Sequence, residues 1–139
     1  MISDELLKST KKHEGLRLKP YECTAGKLTI GYGRNIEDVG ISKAEAEQML
    51  ASDLEQSEKD ARSLIPNFDD IGQARQDALI EMAFNLGRTR LSKFRKMIKA
   101  IKERKFIIAE MEALDSRWAK QVGKRAQRLA EQLRTNKHH

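Results

Sequence analysis

The sequence predicts a mostly helical α+β protein, and three patterns carry that reading. Apolar residues follow a two-residue period in only one stretch, between Leu16 and Arg34. From Ser42 onward they recur at helical spacing. Gly15 and Gly87 stand where helical patterns stop.

Taken in order, Ser3 or Asp4 can cap a first helix that carries Ile2, Leu6 and Leu7, runs to about His13 and ends at Gly15. Leu16, Leu18, Leu28, Ile30 and Tyr32 then alternate around the turn formers Thr24-Ala25-Gly26, the pattern of a hairpin. Gly31-Tyr32-Gly33 marks a bend or a close backbone approach. Ser42 and Glu45 form a capping box that opens a helix to about Leu64, before Pro66. At 1.5 Å per residue it is roughly 30 Å long, enough to bridge two lobes. Asp69 or Asp70 is expected to cap the next helix, with Ala74, Ala78, Ile80, Met82, Ala83 and Leu86 on its apolar face and Gly87 as its stop. Shorter helices follow near 93–103, 106–114, 116–122 and 124–134, and no internal repeat is visible.

A chain of 139 residues fits one domain, or two small lobes sharing a helix. Hydrophobic residues make up 39% and charged residues 35%, which is globular but polar. The single cysteine, Cys23, excludes an intramolecular disulfide and suits a reducing compartment. The opening residues hold no apolar run of signal-peptide length, and no segment approaches the roughly 20 apolar residues of a membrane span. Synthesis in a cytoplasm is the expectation. The terminal His138-His139, with Lys137, reads as the start of an expression tag and is left out of the fold reading.

Charge is uneven. Residues 1–87 carry 11 Lys/Arg against 16 Asp/Glu, net −5, whereas residues 88–139 carry 16 against 5, net +11. A basic half is drawn to polyanions, and nucleic acid, an anionic wall and a membrane surface all qualify on charge alone. Its cations are spread over several helices without a recognition-helix signature or interleaved aromatics. A solvated basic face therefore outweighs a nucleic-acid partner.

Taken singly, the polar residues near the strands read as ordinary. A lone Glu14 is usually a surface charge, Cys23 a small hydrophobe and Thr29 a good strand former. There is no metal-ligand cluster, no phosphate-cradling glycine loop and no Ser/His/Asp arrangement, so neither metal nor cofactor is expected.

Their combination is more specific. His13-Glu14-Gly15-Leu16-Arg17-Leu18-Lys19-Pro20-Tyr21 followed by Thr29-Ile30-Gly31-Tyr32-Gly33 strongly resembles the phage-type lysozymes. In that family a Glu is followed after eight residues by Asp or Cys, and after five more by Thr; here these are Glu14, Cys23 and Thr29. The likeness continues through residues 40–50, through Arg75, Phe84, Asn85 and Gly87, and through Ser116-Arg117-Trp118, Arg125-Ala126 and Leu133-Arg134-Thr135.

The resemblance implies a two-lobed lysozyme-like fold. A small β-hairpin lobe would span about 14–41, a connecting helix about 42–64, and a helical lobe about 65–135 together with the N-terminal helix. It further implies that the chain hydrolyses peptidoglycan glycan strands as an endolysin. Glu14 would be the general acid, and Arg125 would lie close to it and orient it. Burial would raise the carboxyl pKa while an arginine lowers it, and the sequence leaves the balance open. Cys23 stands where many relatives carry a carboxylate, and is left open as nucleophile, base or water-positioner; loss of catalysis in a wall-binding module is the competing reading. Glu22 is a weaker base candidate, because neighbouring strand residues face opposite sides. Thr29 would hydrogen-bond the attacking water or the sugar. Phe84, Asn85 and Asn35 are the substrate-binding candidates, with plain core packing an equal reading of Phe84. Trp118 reads as core, His13 as exposed, and Arg34 as a partner for Asp53. A monomer is expected, held to the anionic envelope by its basic half. It would stay in the host cytoplasm until a separate pore-forming protein releases it to the periplasm and wall.

Overall fold

A computed structural model describes residues 1–139. Eight α-helices accompany one three-stranded antiparallel sheet, a mostly helical α+β architecture. The chain divides into two compact units, Met1–Gln48 and Met49–His139.

In the first unit, α1 (Asp4–Glu14) is capped by Ser3, whose side chain accepts from the Leu6 N–H at 3.1 Å. The strands β1 (Arg17–Glu22), β2 (Leu28–Gly31) and β3 (Arg34–Asn35) lie in chain order. Arg17 pairs with Gly31 and Tyr21 with Thr29, so the ladder slips between them. Pro20 falls in that slip and has no N–H to give a ladder. Burial does not follow the apolar alternation. Leu16, Leu18, Leu28 and Tyr32 are exposed and Ile30 half-buried, whereas Thr29, in the opposite phase, is buried.

The capping box forms as expected. Glu45 N–H donates to Ser42 Oγ at 3.1 Å, and Ser42 N–H returns to Glu45 Oε1 at 2.8 Å. It opens α2 (Lys43–Leu64), a single helix of 22 residues. The same Glu45 carboxylate takes Arg34 Nη1 at 2.6 Å, which corrects the expected Arg34–Asp53 pair. Asp53 lies eight residues further along α2, roughly 12 Å on, while the cap holds Glu45 in place.

The second unit holds the large core. After a 3₁₀ turn (Phe68–Asp70), α3 (Gln73–Leu86) starts at Gly72, not at an aspartate cap. Asp69 and Asp70 are spent in that turn, and Gly72, at φ +95°, makes the entry. On α3 the buried residues are Ala74, Ala78, Leu79, Met82, Ala83 and Leu86, with Leu79 taking the place expected of the half-buried Ile80. The expected helix at 93–103 is α5 (Arg95–Lys102), and a short helix that the sequence reading did not foresee, α4 (Arg88–Ser92), precedes it. Then come α6 (Phe106–Leu114), α7 (Arg117–Val122) and α8 (Lys124–Thr135). Leu129 and Leu133 of α8, Leu79 and Met82 of α3, and Met97 and Ile101 of α5 are among the fully buried side chains. Arg75 ties α3 to the end of α8: its guanidinium donates to Leu133 O at 2.7 Å, Arg134 O at 2.9 Å and Ile71 O at 3.2 Å. It also stacks 3.5 Å from the Phe106 ring centre.

Candidate active site

Glu14 is the last residue of α1 and is exposed. The helix stops there because Gly15 takes φ +72° while its N–H still reaches Lys11 O at 3.0 Å. Opposite the carboxylate stands the loop Gly31-Tyr32-Gly33 that joins β2 to β3. A Cβ on Gly33 would lie 2.5 Å from Glu14 Oε2, so a side chain there would push the carboxylate aside. Gly33 also has φ +78°. Lys11, one turn before Glu14, places its ammonium 5.7 Å from the Tyr32 ring centre, a second tie between helix end and loop.

Thr29 sits on the central strand, paired with Tyr21 on one side and Asn35 on the other. Its hydroxyl donates to Lys27 O at 2.9 Å, which satisfies a side chain only 3% exposed. Cys23 opens the turn beyond β1: its N–H also reaches Lys27 O, at 2.9 Å, and its carbonyl accepts from Gly26 N–H at 2.8 Å. The two side chains are thereby brought together. The half-buried Cys23 thiol is held below its ordinary pKa by hydrogen bonds from the Lys27 and Ala25 backbones and then from the Thr29 side chain. The thiolate so favoured is the form that can act as base or nucleophile.

Asn35, the partner of Thr29, spends its amide locally. Its Nδ2 donates to Asp38 Oδ2 at 3.0 Å and its Oδ1 accepts from Asp38 N–H at 3.0 Å. Glu22 is exposed and opposite Leu28, and His13 is exposed.

The remaining candidates belong to the second unit. Phe84 is exposed on α3, against the core-packing alternative. Asn85 accepts from Trp118 Nε1 at 2.7 Å, leaving its NH₂ without a protein partner, and Trp118 is buried edge-on against Phe94. Arg125 Nε donates to Glu81 Oε2 at 2.9 Å, and Arg128 Nη2 to the same oxygen at 2.5 Å. Glu81 escaped the sequence reading. The signal that could have found it is an acid one turn before Phe84 and Asn85, set among apolar residues in the second half of α3. Gly33 was legible only as part of a bend. No three His, Cys, Asp or Glu side chains converge to hold a metal ion.

Comparison with known proteins bears on the whole arrangement. An endolysin of Acyrthosiphon pisum secondary endosymbiont phage 1 is 38% identical over 94 residues, covering 63% of this chain and 61% of that one. The chain thus spans about three fifths of that relative's length. A probable T4-type lysozyme of Dictyostelium discoideum is 28% identical over 148 residues, covering 86% of this chain and 87% of its own. The pre-baseplate central spike protein of Enterobacteria phage T4 is 30% identical over 147 residues, which cover 86% of this chain but 26% of the spike protein. The family model described as phage lysozyme matches residues 11–136, from the turn before Glu14 to the residue after α8. On that match, which omits only the first ten residues and the last three of the chain, the protein belongs to the phage lysozyme family.

Proposed function

We propose that the chain is an endolysin that hydrolyses the β-1,4 bond between N-acetylmuramic acid and N-acetylglucosamine in peptidoglycan, lysing the host cell. The observation that carries this reading is the layout of the first unit. Glu14 lies against Gly33 just beyond one end of β2, while Cys23 and Thr29 converge on the Lys27 carbonyl just before its other end.

In this reading Glu14 gives its proton to the bridging oxygen as the C–O bond breaks. A water adds to the anomeric carbon and passes a proton to the Cys23 thiolate, with Thr29 orienting it. The hydrogen bonds that depress the thiol pKa favour Cys23 as base. Phe84 would offer its exposed ring to a sugar face, and Asn85 its free NH₂ to an N-acetyl carbonyl. Asn35 would serve the site by bracing the loop through Asp38. Arg125, paired with Glu81, would steer the substrate. The protein would work as a monomer, reach the wall through a separate pore-forming protein, and be kept there by its basic half.

The test is the rate at which new reducing ends appear from purified sacculi. Glu14→Gln should lower it by roughly 10²–10⁴-fold. Cys23→Asp should retain activity and Cys23→Ser should lose most of it. Clearing of cells by Glu14→Gln at the wild-type rate would end the reading. Equal rates for Cys23→Ser and wild type would remove the thiol from the mechanism.

A further inference from the structure

Helix α5 ends in a pattern that ordinarily calls for glycine. Lys105 N–H reaches back to Ala100 O at 2.8 Å and Arg104 N–H to Ile101 O at 3.0 Å, with residue 104 left-handed at φ +58°. Glycine takes that conformation freely, whereas a side chain is strained in it. The chain places an arginine there. Arg104 and Asn136 are the two non-glycine residues at positive φ, and asparagine is a residue that tolerates it.

That arginine also stands beside another cation. Arg75 and Arg104 lie 3.5 and 5.4 Å from the centre of the same Phe106 ring. Neither has a carboxylate at ion-pair distance. Their hydrogen bonds go to backbone carbonyls, Arg104 Nη1 to Asp70 O at 2.8 Å, and part of each donor fork is left unspent. Burial and then the charge of Arg104 hold the Arg75 guanidinium below its ordinary pKa, so the neighbouring charges oppose each other. Lys105 and Arg134, each with one near acid, join them around a cavity of about 510 Å³. That volume lies within the roughly 300–1,000 Å³ of small-molecule sites. No acid lines it. A strained backbone and an unbalanced pair of like charges are two separate costs at one residue, and such costs gather at functional sites.

We propose that this cavity is a binding site for a small phosphate monoester bearing an apolar group. At neutral pH a monoester carries about two negative charges, and guanidinium forks match its oxygens. Phe106 and Ile107 give the organic group an apolar wall. A carboxylate brings a single charge to this cluster of cations, and a bare inorganic ion leaves the apolar wall uncovered. Glu14, Cys23, Thr29, Phe84, Asn85 and Arg125 all lie outside the lining, so the site stands apart from the proposed sugar chemistry and does not depend on it.

Titration calorimetry of the full chain with phenyl phosphate tests this, with the Arg75 and Arg104 Nε–H signals followed by NMR. Phenyl phosphate should bind with a Kd below about 1 mM, at least about tenfold tighter than inorganic phosphate, and move both signals. Dimethyl phosphate, a singly charged diester like a lipid headgroup or a nucleic-acid backbone, should bind at least about tenfold more weakly than phenyl phosphate. Arg104→Gly removes the guanidinium and supplies the residue that the backbone prefers. It should melt at or near the wild-type temperature, hydrolyse sacculi at the wild-type rate and lose phenyl phosphate affinity by about tenfold or more. Wild-type affinity in Arg104→Gly, or equal affinity of the wild type for the diester or for inorganic phosphate, would overturn the proposal. So would a wild-type protein that gives neither heat nor shifts while Arg104→Gly melts early, which would make Arg104 only a clasp on the Asp70 carbonyl.

Discussion

The Glu14 carboxylate occupies the space in which any side chain at Gly33 would begin, with Oε2 2.5 Å from the position of a Cβ. Residue 33 therefore favours glycine in two ways, through a left-handed backbone at φ +78° and because a Cβ would displace the carboxylate from its present position. Gly31 in the same loop has the first feature alone, at φ +72° with nothing within 4 Å of its Cβ position. The two glycines separate strain from site geometry. Gly33→Ala is expected to lower sacculus hydrolysis by about tenfold or more, since misplacement by an ångström is costly in a catalytic group. Gly31→Ala should cost about 1–2 kcal/mol of stability through its backbone and leave most activity in place. Matched rates for the two variants would show that Glu14 does not depend on its glycine neighbour.

Thr29 supports the charged form of Cys23, so its removal should move a pH profile in a known direction. If the thiolate is the base, activity rises with pH as the thiol ionises, and this limb lies below the ordinary thiol range of about 8.5. Thr29→Val removes one of the hydrogen bonds that lower the pKa, and the limb should shift toward higher pH. Cys23→Asp should move it down into the carboxylate range. A limb that stays in place in both variants would assign it to another group.

The start of α2 should respond to acid. Glu45 is drawn down to about 2 by Arg34 first, then by the Ser42 backbone and side chain. A depressed carboxyl pKa means that the stabilisation is fully present above about 4.5 and is lost as pH falls toward about 2. Amide exchange at the first turn of α2 should accelerate through that window. Glu45→Gln should flatten the dependence, because the amide keeps the cap but cannot be neutralised.

Arg75 is expected to matter for stability rather than chemistry. It closes three carbonyls and stacks on Phe106, a combination that lysine's point charge cannot reproduce. Arg75→Lys should destabilise by about 1–3 kcal/mol in denaturant melts, with hydrolysis per folded molecule unchanged. A smaller loss would mean that water replaces the guanidinium at the end of α8.

Several features were legible from local sequence. Ser3, Gly15, Gly87 and the Ser42/Glu45 box act through backbone groups within four residues, so spacing alone placed these helix ends. The triad spacing of Glu14, Cys23 and Thr29 pointed to the family, and the match over residues 11–136 bears that out. Periodicity located most helices of the second unit, although it missed α4, whose five residues are too few to show a helical repeat.

What local sequence could not decide was choice among equivalent partners in space. Arg34 had several acids on α2 to choose from, and the cap had already placed Glu45. Packing in space set which strand phase is buried, making Thr29 rather than Leu28 the inward residue of β2. Arg125 met Glu81 from a position 44 residues earlier, and Trp118 took Asn85 from 33 residues earlier. Helix ends are written in short-range backbone hydrogen bonding and survive in the sequence. Side-chain pairing over tens of residues depends on packing distances that exist only once the chain has folded.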